Sequence, residues 1–310
     1  MKYSLVVPVF NERDSLPKFL EAISFLKIPP HEIHFIDSGS NDGSYGLLAE
    51  FLGKNNAKFE INLHSNPGGY PGSNRNMGIV NSKSEWIAFL DVGVMPNPDY
   101  IECLMNSVIH TGCNHAYSMC FFTGRTKFQI AICALTYGYK FFRPTLPGGV
   151  FHASLFLPKN AGLFESDLRA AEDLLWMRKL HKFTPKNVVN NAIVNYADFP
   201  INITECVNKF WTYQIAQTAS KIAQFRIWGV LLFFLLVMPI SFYLDNSIGI
   251  FLAMTYLIFR GIIEPIRRSN KIYWFKTNHE SFLICIWLGP LIDFVKVASL
   301  GRRIFGGTKK

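Results

Sequence analysis

The stretch AFLDVGVMPNPDY, Ala88 to Tyr100, decides how the chain folds. A short apolar run from Glu85 to Leu90 delivers Asp91 at its end, followed by Gly93 and a proline-rich loop. A buried strand that ends on a carboxylate marks the mouth of an open α/β sheet, where ligands bind beyond the carboxyl ends of the strands. Toward the N-terminus the same unit repeats. Leu5–Phe10 reads as a buried strand ended by Pro8 and Asn11. Ser15–Phe25 carries Leu16, Phe19, Leu20 and Ile23 at helical spacing. Glu32–Ile36 is a second strand, broken by DSGSNDGS; Tyr45–Leu52 is helical and Phe59–Leu63 is a third strand. NPGGYPGSNRNMG then leads into a helix near Ser73–Asn81. Strands alternating with helices predict a mostly parallel sheet flanked by helices.

Toward the C-terminus the pattern is less regular. Phe141–Phe151 (FFRPTLPGGVF) reads as a loop because it holds two prolines and two glycines. Phe151–Leu157 can form another strand, and Leu168–Leu180 reads as a helix carrying Glu172 and Asp173. Residues 181–225 read as strand, loop and then a helix from about Cys206.

Residues 227–244, IWGVLLFFLLVMPISFYL, hold no charge and approach the roughly 20 residues that cross a bilayer. Asp245-Asn246-Ser247 makes a polar turn, and Ile248–Phe259 returns as a shorter apolar run. The pair predicts a membrane hairpin with Arg226 before it and Arg260, Arg267, Arg268 and Lys271 after it. By the positive-inside rule both ends, and everything upstream, face the cytosol at the cytoplasmic membrane. A third apolar segment at about 281–300 contains Asp293 and Lys296 and reads as an interfacial helix rather than a third span. The expected division is therefore a catalytic domain at 1–215 and a membrane-associated helical tail at 216–310.

The totals agree with that division. Of the net charge of +9, most lies from Arg260 to Lys310, where ten Lys/Arg face three acids. A nucleic-acid binder carries its basic face on the folded domain, so no nucleic-acid partner is expected. The six cysteines form no CxxC pair and no zinc spacing, and read as reduced thiols. The N-terminal apolar run is too short for a secretory signal, so the N-terminal domain is expected to stay in the cytosol.

Four features carry chemistry in a fixed order. VVPVFNE, Val6 to Glu12, ends a strand with backbone groups that can face a flat base. In IDSGSNDGS, Asp37 stands at a strand end, either accepting hydrogen bonds from a nucleobase or ribose or simply closing an Asx turn. Asp91 can hold a divalent cation against a diphosphate. In LFESDLRAAEDLLW, Glu172 and Asp173 are adjacent, so a helix points them about 100° apart; one can face a cleft while the other orients the site.

This ordered set (PVFNE, DSGSNDGS, GSNRNMGI, FLDVGVMPNPDY and NAGLFESDLRAAEDLLW) resembles the family 2 glycosyltransferases, nucleotide-sugar enzymes of the GT-A fold. The resemblance covers roughly residues 3–215. It implies that Asp37 contacts the base of a nucleotide-sugar, with a UDP-sugar favoured, and that Pro8, Phe10 and Glu12 line the same pocket. It places Gly72 and Arg75 beside the donor, a divalent cation (Mg or Mn) on Asp91, and the catalytic base on Asp173 with Glu172 beside it. The chain departs from the family pattern at Gly93, where the metal motif has a second acid; His152 is then either a structural histidine or an extra ligand. The QxxRW motif of processive synthases is absent, which implies one sugar per event. The implied function is inverting transfer of a sugar to a lipid-linked or glycan acceptor at the membrane, in cell-surface polysaccharide or glycolipid synthesis. Two alternatives compete: a non-catalytic membrane scaffold that keeps a nucleotide-sugar pocket, and a nucleotidyltransferase.

Overall fold

Tyr3–Val9 (β1) is an aromatic and β-branched run with six of its seven residues buried, so it can only be a central strand. Its parallel neighbours are Glu32–Asp37 (β2) on one side and Trp86–Phe89 (β4) on the other, with Glu60–Ser65 (β3) beyond β2. The computed structural model describes residues 1–54, 59–219, 225–269 and 277–305. Among these, eight strands form one sheet in the order β3-β2-β1-β4-β7-β6-β8-β5, with β5 at Val94–Pro96, β6 at His115–Phe122, β7 at Phe141–His152 and β8 at Val188–Tyr196. The parallel half is the one read from the alternation; at β7 the sheet turns antiparallel.

Helices α1 (Leu16–Ser24), α2 (Ser44–Lys54) and α3 (Pro71–Asn81) connect the parallel strands, and α4 (Tyr100–Thr111) precedes β6. Seating of α3 depends on Gly78: a Cβ there would lie 2.4 Å from Val6 Cγ1, so any side chain would lift the helix off β1. Helix α5 (Lys127–Thr136) lies between β6 and β7, and α6 (Glu172–Leu180) precedes β8.

Three expectations are corrected. Phe141–His152 is a strand, not a loop: Gly149 is required by close approach, since a Cβ there would lie 2.6 Å from the Ala116 carbonyl oxygen of β6. The extended run past Phe151 stops at His152, and Ala153–Phe156 is a 3-10 turn. The acidic helix begins at Glu172 rather than Leu168, because Ala171 adopts a left-handed φ of 72° that no helix continues through.

The chain divides into two compact units. Met1–Phe121 with Phe142–Tyr196 forms the sheet unit, and Phe122–Phe141 with Ala197–Lys310 forms the helical unit. The sheet unit's core is an aromatic cluster of Phe89, Phe151, Phe156, Phe164 and Trp176; Trp176 stacks on Phe156 and Phe164 at 5.1 and 4.9 Å.

The helical unit contains α5, α7 (Ile203–Ala219), α8 (Ile227–Leu244), α9 (Asn246–Arg268) and α10 (His279–Phe305). Three of its helices are long and apolar enough to cross a membrane: α8, α9 and His279–Leu300 of α10. Only 11% of α8 and 17% of the apolar stretch of α9 are buried within the chain. Their exposed side chains, including Tyr243, Leu244, Phe251 and Phe259, need a second apolar phase, and membrane association follows. The second run of the hairpin is longer than the sequence suggests, because Arg260 lies inside α9. It is buried and ion-paired to Asp293 of α10 (Nε to Oδ2, 2.8 Å), so it is not a free charge at the membrane exit. Lys271, Lys309 and Lys310 of the basic flanks lie outside the described residues.

Candidate active site

The strand order places the ends of β1, β2 and β4 side by side, and the loops that leave β1 and β2 are fastened to one another. After β1, Asn11 takes a left-handed φ of 55°. Its backbone N–H donates to Ser40 Oγ (2.9 Å), and its Oδ1 accepts from the Asn41 N–H (3.0 Å). The Glu12 N–H donates to Ser44 Oγ (2.8 Å) and that of Arg13 to Asp42 Oδ2 (2.9 Å). The polar residues of DSGSNDGS therefore hold the first loop as well as their own. Nothing in a local pattern signals this, because the partners lie about thirty residues apart.

Asp37 ends β2 and is buried. Its Oδ2 accepts from the Gly39 and Ser40 N–H groups (2.9 and 3.0 Å), closing an Asx turn. Its Oδ1 is buried with no hydrogen-bond partner among the described residues. One oxygen thus builds the turn and the other is left to accept a donor, so the two readings of Asp37 are compatible. Pro8, half-buried, is on the strand whose Val9 pairs with Asp37; Phe10, exposed, and Glu12, half-buried, follow the end of that strand. Next to Asp37, Ser38 Oγ accepts from Asn74 Nδ2 of α3 at 2.5 Å, and Asn74 Oδ1 accepts from Asn66 Nδ2 at 2.8 Å.

Helix α3 ties the base side to the acidic side. Arg75, buried in its first turns, donates to Glu172 Oε1 at 2.5 Å and to Asp91 Oδ1 at 3.0 Å, and its guanidinium carbon lies 5.6 Å from the Phe164 ring centre. Burial opposes its charge, but Asp91 and Glu172 outweigh burial and raise its pKa. Asn76 fixes the loop beneath: its Nδ2 donates to the Phe164 carbonyl and its Oδ1 accepts from the Phe164 N–H, both at 2.9 Å. Gly72 is a glycine because a Cβ there would lie 2.2 Å from the Glu165 carbonyl oxygen and 3.3 Å from the Glu172 side chain.

On α6, Glu172, Trp176 and Leu180 form the buried face, and Asp173 lies one position round it, half-buried. Leu174 N–H donates to Asp173 Oδ1 at 2.7 Å. Burial first, and then the charge of Glu172, push the Asp173 carboxyl up to about 6 against the pull of Arg75. A carboxylate in that range is a competent proton acceptor near neutral pH. Asp91, Arg75, Glu172 and Asp173 therefore form one electrostatic group, with Asp37 at the end of β2, across β1 from β4.

His152 is not part of it. It pairs in register with Trp86, the first residue of β4, whereas Asp91 lies beyond the last. Its Nδ1 is 2.8 Å from Ser154 Oγ and its Nε2 is 3.1 Å from Glu85, so it is structural. Among the described residues no group of three His, Cys, Asp or Glu side chains can hold a metal ion. Asp91 offers one half-exposed carboxylate already engaged by Arg75, and Gly93 offers none. That set does not make a protein-only cation site; it fits a cation whose remaining ligands are diphosphate oxygens and water.

The family model for glycosyl transferase family 2 matches residues 4–157. Over 111 residues the chain is 30% identical to glycosyltransferase AglE of Haloferax volcanii, covering 35% of this chain and 36% of that protein. Over 51 residues it is 41% identical to the bactoprenol glucosyl transferase of Shigella phage SfV, covering 16% and 17%. The chain thus matches about a third or less of the length of these relatives. A crystal structure of S. aureus TarS 1–349 in complex with UDP-GlcNAc superposes with a TM-score of 0.54 at 13% identity, covering 100% of this chain and 93% of that one. The fold is the GT-A fold.

Proposed function

The chain belongs to glycosyl transferase family 2, and on that premise we propose that it is a membrane-associated inverting glycosyltransferase that moves a sugar from a UDP-sugar to a lipid-linked acceptor. The observation that carries this reading is Arg75 joined to both Asp91 and Glu172, with the raised carboxyl of Asp173 beside them. The unspent, buried Oδ1 of Asp37 suits the N–H of a uracil ring. Asp91 faces the diphosphate and would hold a divalent cation that arrives with it. That cation would neutralise charge on the leaving group.

Asp173 takes the proton from an acceptor hydroxyl. The acceptor oxygen bonds to the anomeric carbon as the bond from that carbon to the diphosphate oxygen breaks, so configuration inverts and the nucleoside diphosphate departs. Glu172 is held by Arg75 and fixes the helix that presents Asp173. The acceptor class is inferred from the apolar helices: a lipid-linked acceptor shares the bilayer with them, which raises its effective concentration. The name of the phage relative, a bactoprenol glucosyl transferase, agrees with a polyprenyl carrier. The catalytic domain is assigned to the cytosolic face of the membrane.

The test offers the purified full chain a panel of nucleotide sugars with membrane lipid extract. A labelled lipid formed with release of nucleoside diphosphate is expected. Transfer to no lipid, or release of inorganic diphosphate, would overturn the reading.

A further inference from the structure

Among the described side chains of α10, Glu280, Asp293 and Lys296 each meet a partner on the chain. Asp293 is buried and accepts from Arg260 Nε (2.8 Å) and from Tyr256 hydroxyl (3.0 Å), both on α9. Lys296 sits 5.2 Å from the Phe210 ring of α7, and Glu280 pairs with Lys127 of α5. Leu283, Trp287 and Phe294 are exposed, and at helical spacing they fall within about 40° of one another, opposite Lys296. The helix thus turns Asp293 and Lys296 toward its helical neighbours and an apolar stripe outward.

Its neighbours are not those of a spanning helix. Lys296 packs on α7, which carries Glu205, Asn208, Lys209, Gln214 and Gln217 and is not apolar enough to sit in hydrocarbon. Glu280 and Lys127 at the other end are more than half exposed. Its meeting with α9 centres on one crossing, where glycines let the backbones touch: a Cβ on Gly261 would lie 2.5 Å from Ile286 Cα, and one on Gly289 would lie 3.2 Å from Arg260 Cγ. Arg260 follows the apolar run Ile248–Phe259 and opens the charged turns of α9, which also carry Glu264, Arg267 and Arg268, so the pair sits where α9 stops being apolar.

We propose that α10 lies along the membrane surface as a lipid-contacting helix, pinned to the charged part of α9 by the Arg260–Asp293 pair, with its Leu283–Trp287–Phe294 stripe in the acyl–headgroup boundary. The partner is the bilayer itself. The stripe is exposed like the apolar side chains of α8 and α9, and an outward tryptophan is typical of that boundary. Both chain termini then lie on one side, and Arg302, Arg303, Lys309 and Lys310 need not cross the membrane. This inference rests on membrane association alone and does not require the proposed transfer reaction.

The experiment uses the full chain in sealed vesicles with a cleavable tag at each end. A protease added outside is expected to remove both tags or neither in any one vesicle population, and shallow brominated lipids should quench the Trp287 contribution (wild type minus Trp287→Phe) more than deeply brominated ones. Removal of one tag with protection of the other until detergent is added, or stronger quenching from the bilayer centre, would overturn it. For the pin, Arg260→Asp should lower thermal stability in detergent, and the exchange Arg260→Asp with Asp293→Arg should recover much of the loss. No recovery would refute the pairing. Each readout is independent of activity, so failure here is separable from failure of the transferase reading.

Discussion

Arg75 Nη1 donates to Glu172 Oε1 across 97 residues of chain, and both groups are almost fully buried. A charge taken this far from water is tolerable only with its partner in place. Arg75→Ala should therefore destabilise the sheet unit by about 3–5 kcal/mol. Adding Glu172→Gln to Arg75→Ala should restore part of that loss, with a coupling of about 0.5–3 kcal/mol in a double-mutant cycle read by denaturant midpoints. Strict additivity would show that the pair does not hold the site.

Asp173→Asn keeps shape and removes the proton acceptor. Turnover should fall by about 10²–10⁴ while donor binding persists. In the wild type the rate should rise with pH through an inflection near 6, because the raised carboxyl is a base only above its own pKa. The inflection should vanish in the variant. A lipid phosphate acceptor, already ionised, would need no such base, so a flat profile with full activity in Asp173→Asn would place the acceptor in that class.

Chelation tests Asp91. EDTA should lower donor affinity and turnover, and Mg²⁺ or Mn²⁺ should restore both. Asp91→Ala should weaken donor binding and shift the cation concentration needed. Full activity in EDTA would leave Asp91 with only its hold on Arg75.

Acid should loosen the fold at identified histidines. Burial first, and His181 second, lower the His115 pKa to about 4; burial also lowers those of His34 and His64. The unfolded chain takes up these protons near 6.5 and the folded chain does not. For His115 that stability is present above about 6.5 and drains away as pH falls toward 4; His34 and His64 act with the same sign. For His115 alone the expected loss is about 2–3 kcal/mol, visible as a lower melting temperature at pH 4.5 than at pH 7.5. His115→Phe should flatten part of that slope.

The parallel half of the sheet was legible because its signals are local. β1, β2 and the helix at Leu16–Ser24 announce themselves by apolar runs and by 3.6-residue spacing. Asp37, Asp91 and the Glu172–Asp173 pair were found at strand and helix ends because a carboxylate after a buried run is conspicuous. What failed was information held by distant neighbours. β7 looked like a loop because Gly149 is there for Ala116, which no window of sequence contains. The helix start at Glu172 was misplaced because a left-handed alanine leaves no compositional trace. Arg75 read as a donor-facing side chain; that its guanidinium bridges two acids is a property of the fold. Arg260 counted as a surface charge until its partner on a third helix came into view.

The fastening of Asn11 and Glu12 to Ser40, Asn41 and Ser44 has a thermodynamic consequence. These loops are already ordered before a nucleotide arrives, so little conformational entropy remains to be lost on association. Discrimination among bases then falls to a rim of fixed shape, and a looser variant such as Asn11→Gly should bind more weakly while choosing less sharply.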